Sequence, residues 1–243
     1  MKQCKIISIA NQKGGVGKTT TAFNLAVALV KKKKKVLLVD TDPQSDLTTY
    51  LGIQEQEKVP ITLSTLLEQA ISENPIMASS AILKHDEGVD FIPSSLDLAS
   101  LEMSLYRAKN RENMLKECLS KVKDNYDYVL IDCMPSLGIL TINALACSDG
   151  VIIPVQSHYL AARGMNQLLQ TIGKVKSKIN PDLKVEGILL TLVDNRTNLA
   201  KEIKETLNEL LDDNFSSVWN DVIYGKSVGN KDIVKIAESQ IGN

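Results

Sequence analysis

The stretch Asn11-Gln12-Lys13-Gly14-Gly15-Val16-Gly17-Lys18-Thr19-Thr20 limits the possible folds of this chain more than any other. It follows an apolar run that reads as a strand and opens a segment of helical period. Gly14, Gly15 and Gly17 let the backbone turn tightly enough to aim several N–H groups at one anion, and the helix start adds its positive dipole end. Lys18 supplies a point charge for the β- and γ-phosphates of ATP. The Thr19 hydroxyl is placed to ligate magnesium that bridges phosphate oxygens. Lys13, Gly14, Gly15, Val16, Gly17, Lys18, Thr19 and Thr20 are therefore the expected ATP-binding residues. Lys13 is a special case: a second lysine inside the loop cannot easily point at the oxygens that Lys18 holds, so it is free to reach a nucleotide held by another subunit.

Such a loop calls for a sheet beneath it, and the rest of the chain supplies one. Apolar runs at Lys5–Ala10, Lys35–Asp40, Val89–Ile92, Tyr128–Asp132, Val151–Val155 and Val185–Val193 alternate with helical patterns. The helices are expected at Lys18–Lys33, Leu96–Tyr106, Arg111–Lys123, Ile139–Ala146, Arg163–Ile179 and Ala200–Leu211. The fold class is α/β, P-loop NTPase-like, with a mostly parallel twisted sheet and helices on both faces. Residues Gln54–Ile61 read as a polar excursion. At 243 residues and 44% apolar content, without repeats or a Gly/Ser/Pro linker, residues 1–243 are expected to form one domain.

With 28 basic and 29 acidic residues the net charge is −1, so any polyanionic partner must be held by a local patch. The lysine run Lys31–Lys35 falls where the first helix should end, and cations there complement its dipole. Cys4, Cys118, Cys133 and Cys147 show no CxxC spacing and fit reduced, buried thiols. No apolar run approaches the ~20 residues that cross a bilayer, and the N-terminus lacks a signal-peptide layout, so a cytoplasmic protein with no membrane partner is expected.

Carboxylates end two of the strands. Val39-Asp40-Thr41-Asp42-Pro43-Gln44 places two acids with period two at the carboxyl edge of the sheet, where ligands of such sheets bind. One carboxylate near the γ-phosphate can orient a water and accept its proton, while its neighbour supports the metal shell. Asp132 follows the apolar run Tyr128–Ile131 and fits the role of holding magnesium, so Thr19, Asp40 and Asp132 are the metal candidates.

The segment Lys13–Thr20 resembles the deviant Walker A signature KGGVGKT[ST] of the ParA, Soj and MinD ATPases, and Val39–Gln44 resembles their VDxDPQ motif. Cys133-Met134-Pro135-Ser136-Leu137-Gly138 is similar to the family's CPPSLG, with Met134 in place of the first proline. The resemblance implies that Lys13 reaches the ATP of the partner subunit in a face-to-face homodimer. It also implies that Asp42 positions the attacking water, making Lys13 and Asp42 the catalytic residues of a slow, magnesium-dependent ATPase. Similarity to the DNA-partitioning branch continues through Ile92–Ala99, Ile153–Gln156 and Thr197–Leu199.

No helix-turn-helix domain precedes the loop, so the chain resembles the short partition ATPases of plasmid or chromosome segregation. These imply nucleoid association, ATP-dependent binding to non-specific double-stranded DNA, and a centromere-binding ParB-like partner that stimulates hydrolysis. Arg196, Lys201, Lys204 and Lys226 are the candidate DNA contacts, with Arg163, Lys174 and Lys178 as weaker ones. Near Trp219–Lys226 the chain departs from the family's nucleotide-base loop. A MinD-like membrane-associated positioning ATPase is the alternative, but the tail Asp232–Asn243 is short for an amphipathic anchor. A nitrogenase-iron-protein-like reductase would use Cys133, and a scaffold without turnover would lack Asp42.

Overall fold

The computed structural model describes residues 4–156 and 161–192, with no account of the side chains of residues 161–164. In chain order the elements are β1 (Lys5–Ile9), α1 (Lys18–Lys31), β2 (Val36–Asp40), α2 (Asp46–Tyr50), α3 (Leu63–Ile71), β3 (Leu83–Lys84), β4 (Asp90–Ile92), α4 (Asp97–Arg107), α5 (Met114–Ser120), β5 (Tyr128–Asp132), α6 (Ile139–Cys147), β6 (Gly150–Gln156), α7 (Ala161–Lys178) and β7 (Lys184–Thr191). The strands form one sheet in the order β3-β4-β2-β5-β1-β6-β7. Every pairing in it is parallel except β3 with β4.

The strands are apolar because both faces are covered. In β2, Val36 and Leu38 pack beside Leu25, Ala26 and Leu29 of α1, whereas Leu37 and Val39 face the other way, into the cluster with Leu66 of α3, Leu115 of α5 and Leu145 of α6. Two cores thus clamp the sheet, and its carboxyl edge is held rigid between them. All four cysteines are free and buried, as their apolar settings suggest.

Three differences from the sequence expectations have local causes. Helix α1 stops at Lys31, and Lys33 takes a positive φ of 61°, which turns the chain into β2. The helix expected over Arg111–Lys123 is confined to Met114–Ser120 after a short 3-10 turn at Arg111–Asn113. There the Asn143 amide on α6 accepts from the Leu115 N–H at 3.1 Å and donates to the Arg111 carbonyl at 2.8 Å, satisfying the backbone that a longer helix would have used. Helix α3 and the short α2 are additional: Leu63, Leu66, Leu67 and Ala70 are buried at helical spacing. The polar excursion holds one 3-10 turn, Gln56–Lys58. The helix expected at Ala200–Leu211 lies outside the described residues.

Candidate functional site

At the carboxyl edge the chain turns from β1 into α1 through the glycine loop. Gly15 and Gly17 adopt φ of +69° and +86°, a region that side-chain-bearing residues rarely enter. Three braces tie this loop to distant strands. The Asn11 amide donates to the Pro154 carbonyl at 2.6 Å, Gln156 donates to the Gly15 carbonyl, and the Thr191 hydroxyl donates to the Val16 carbonyl at 2.8 Å. The loop therefore keeps its shape without depending on a bound anion.

A cavity of about 320 Å³ opens on this edge, lined by Gly14, Gly15, Gly17, Lys18, Thr19, Thr20, Asp42, Gln44, Asp46 and Pro135. Lys18 is buried, which pushes its ammonium below the ordinary lysine range, and the charge of Asp132 opposes that shift. Its Nζ donates to the Lys13 carbonyl at 3.1 Å. The Lys13 side chain, by contrast, is exposed.

Asp132 ends β5 in register with Asp40 at the end of β2. Burial first, and then the Asp40 charge, push its carboxyl up to about 8, with hydrogen bonding from Thr19 pulling the other way. Its Oδ1 is buried and has no hydrogen-bond partner. A bare carboxylate oxygen beside a cavity-lining threonine is a hard-oxygen donor set suited to magnesium. Among the described residues no cluster of three or more His, Cys, Asp or Glu could hold a metal unaided. A magnesium ion held here would take phosphate oxygens and water as its further ligands, the usual habit of magnesium at phosphates.

Asp40 and Asp42 separate in a way their spacing does not foretell. The strand ends at Asp40, so the period-two alternation does not carry to Asp42. Asp40 lies beneath the cavity, fully buried. Its Oδ1 accepts the Asp42 N–H at 3.0 Å, and its Oδ2 accepts the Thr48 N–H at 2.9 Å and the Thr48 hydroxyl at 2.6 Å. Thr48 Oγ1 in turn accepts the Ser94 N–H at 2.9 Å. With its oxygens used this way, Asp40 anchors the loop that carries Asp42 and does not line the cavity. Asp42 does line it. Its carboxyl is raised, mainly by burial, while the Gln44 N–H holds Oδ1 at 2.9 Å.

Two walls meet in this cavity, one of backbone amides and a lysine, the other of carboxylates, and between them is room for a polyphosphate with a hard cation. It is a P-loop nucleotide-binding site. Residues 4–185 match the family model described as an AAA domain. The chain is 46% identical over 209 residues to the sporulation initiation inhibitor protein Soj of Bacillus subtilis, covering 86% of this chain and 81% of that protein. It is likewise 46% identical to the chromosome partitioning protein ParA of Myxococcus xanthus over 83% of this chain and 69% of the other. Among solved structures, a cobyrinic acid a,c-diamide synthase from Mycobacterium smegmatis with bound ADP and magnesium superposes with a TM-score of 0.85 at 38% identity, over 98% of this chain and 94% of that one. A putative plasmid partition protein from Borrelia burgdorferi bound to AMPPNP gives 0.75 at 29%, over 98% and 100%. The chain belongs to the AAA-domain family and, within it, to the ParA/Soj group.

The cavity thus gathers Gly14, Gly15, Gly17, Lys18, Thr19, Thr20 and Asp42 from the expected set, with Asp132 buried beside Lys18 and Thr19. Val16 is buried behind the loop. Arg196, Lys201, Lys204 and Lys226 lie outside the described residues. Lys174 and Lys178 are exposed one turn apart on α7. Asn11, Gln156 and Thr191 act through partners remote in the chain and Thr48 through Asp40 and Ser94, so no local motif marks their roles. Gln44, Asp46 and Pro135 also line the cavity, and of these only Gln44 and Pro135 fall inside quoted motifs.

The raised carboxylates make one prediction for stability. Asp40 and Asp132 titrate at about 6 and about 8 in the fold against 3.8 for the free side chain, so between those limits the folded state binds more protons than the unfolded one. Stability then falls as pH rises. In thermal melts of the nucleotide-free protein, Tm is expected to drop from pH 5 to pH 8. Each kcal/mol lost moves it by roughly 2–4 °C in a chain of this size. Asp132→Asn is expected to flatten the slope, and a slope unchanged by it would place the titration elsewhere.

Proposed function

We propose that this protein is a DNA-partitioning ATPase that binds ATP with magnesium in the cavity and hydrolyses it slowly as a switch. The observation that carries this reading is the division of labour in the loop. Lys18 is buried against the cavity, and Lys13 stands exposed on the same loop. A phosphate site needs one such lysine. The second is available to a nucleotide in another copy, so ATP would join two subunits face to face.

When bound, magnesium would supply charge neutralisation for the β- and γ-phosphates, with Thr19 and Asp132 as the residues that hold it. Asp42 would orient the attacking water and accept its proton, and the glycine-loop amides would stabilise the phosphate charge. Asp40, through its hydrogen bonds to Asp42 and Thr48, fixes where Asp42 stands. The similarity to Soj and to ParA supports the partitioning role. In that role the ATP dimer binds non-specific double-stranded DNA through Arg196, Lys201, Lys204 and Lys226, and a centromere-binding ParB-like protein stimulates release.

The test is DNA co-sedimentation with ATP, with ADP and without nucleotide, repeated with anionic liposomes in place of DNA. DNA is expected to retain the protein only with ATP, and a protein making 6–10 phosphate contacts should lose about three to five orders of affinity between 50 and 200 mM salt. Retention by liposomes alone would favour the membrane-positioning alternative. Salt-independent DNA retention would remove phosphate contacts as its basis.

A further inference from the structure

Behind the cavity, α2 carries a threonine whose hydroxyl stands between the turn that holds Asp42 and a second turn far along the chain. Thr48 is fully buried. Its Oγ1 donates to Asp40 Oδ2 at 2.6 Å, the length of a hydroxyl held by a carboxylate, and its N–H reaches the same oxygen at 2.9 Å. A hydroxyl has one proton to give and lone pairs with which to receive. Having given the proton to Asp40, Oγ1 accepts the Ser94 N–H at 2.9 Å. Valine, with nearly the same shape, can do neither.

The far partner is itself pinned. Ser94 belongs to the buried turn Pro93-Ser94-Ser95 that leaves β4. The Pro93 carbonyl accepts the Leu63 N–H at 2.8 Å, and the Ser95 hydroxyl lies 3.1 Å from that of Ser64 and 3.3 Å from that of Thr62. The start of α3 thus fixes this turn, which in turn fixes Thr48. On the near side, Thr41 ties the entry of the Asp42 turn to β5, through its N–H and its hydroxyl to the Asp132 carbonyl at 3.1 and 2.8 Å. Thr48 closes the exit. The Asp40 carboxylate spans the two, with Oδ2 on Thr48 and Oδ1 accepting the Asp42 N–H at 3.0 Å. A carboxylate is planar, so a donor that fixes Oδ2 also sets the direction of Oδ1.

We propose, on the reading that Asp42 orients the attacking water, that Thr48 is a positioning residue for ATP hydrolysis: its hydroxyl, held by the Pro93-Ser94-Ser95 turn, locks the Asp40 carboxylate and through it the stance of Asp42. Thr48 is not among the residues that line the cavity, so its loss acts on the rate of the reaction and not on nucleotide affinity. A misplacement of about 1 Å in a reacting group costs on the order of 100-fold in rate. Thr48→Val leaves the Thr48 N–H on Asp40 and removes only the hydroxyl, so a loss of about 10- to 100-fold is expected.

The full chain with ATP and magnesium is followed by single-turnover phosphate release, beside a fluorescent-nucleotide titration and a thermal melt. Thr48→Val is expected to slow release while affinity stays within about two-fold, a split that marks an interaction used only in the reaction. Thr48→Ala is a second deletion of the hydroxyl with the same expected result, and Thr48→Ser, which restores it, is expected to return most of the native rate. Ser148→Ala removes a buried hydroxyl just before β6, bonded to Ser8 and to the Ala144 carbonyl and outside this network. It is expected to melt lower and to turn over at the native rate. Thr48→Ser as slow as Thr48→Val, equal slowing by Ser148→Ala, or affinity lost in step with rate would overturn the proposal. Asp42→Asn separates the two levels: if it is slow while Thr48→Val runs at the native rate, the role of Thr48 alone fails, whereas a native rate in Asp42→Asn removes the water assignment and the positioning role with it.

Discussion

Asp42→Asn is expected to slow ATP hydrolysis by about two to four orders of magnitude while leaving nucleotide affinity within a few-fold, the range of a general base removed from a formed site. The residue lies in the cavity wall, on a loop whose position is set by the bond from its own N–H to Asp40. Burial raises its carboxyl above the usual range, with the Gln44 N–H opposing and the Asp46 charge reinforcing the shift, so it accepts a proton from water more readily than an exposed aspartate. Asparagine keeps the size and still offers an oxygen to the Gln44 N–H, so the loop should keep its shape. What is lost is the basic oxygen. Single-turnover phosphate release alongside a fluorescent-nucleotide titration separates the two effects. A native turnover rate in the variant would give the water to another group.

How much of this was legible beforehand differs by element. Strand β5 has the bounds its apolar run suggests, Tyr128 to Asp132, because five buried residues with an acid at the end leave little freedom in register. The glycine loop was legible too, since its chemistry is written in contiguous residues. Helix α3 carries the apolar spacing of a helix over Leu63–Ile71 yet is absent from the sequence expectation, and α2, at five residues, is too short for its period to register. The two-residue β3 owes its existence to pairing with β4, which no local pattern records.

The site shows the same limit more sharply. Asp40 and Asp42 look equivalent by alternation, yet the strand stops between them. One becomes an internal anchor and the other faces the cavity. The bond from Thr191 to the loop spans 175 positions, and that from Asn11 to Pro154 spans 143, so contacts of this kind are decided by topology, which residue spacing does not encode.

Lys13→Ala carries the other large effect. The variant is expected to bind ATP almost as tightly as the native chain, to remain without ATP-dependent dimers in light scattering with a non-hydrolysable analogue, and to lose about three to five orders in turnover. That is the scale on which a cation supplied in trans stabilises phosphoryl transfer. The reasoning rests on where the two lysines stand. Lys18 is the cation of its own cavity, buried, with its ammonium on the Lys13 carbonyl. Lys13 contributes that carbonyl, and an N–H bonded to Asn11 Oδ1 at 3.0 Å, both of which an alanine retains. Removing the side chain therefore spares the loop's conformation and the local phosphate contacts while deleting an exposed cation on the loop. Lys18→Ala makes the contrast, since it should abolish nucleotide binding and with it every later step. If Lys13→Ala still dimerises with the analogue, the cross-subunit role fails even though the cavity remains a nucleotide site.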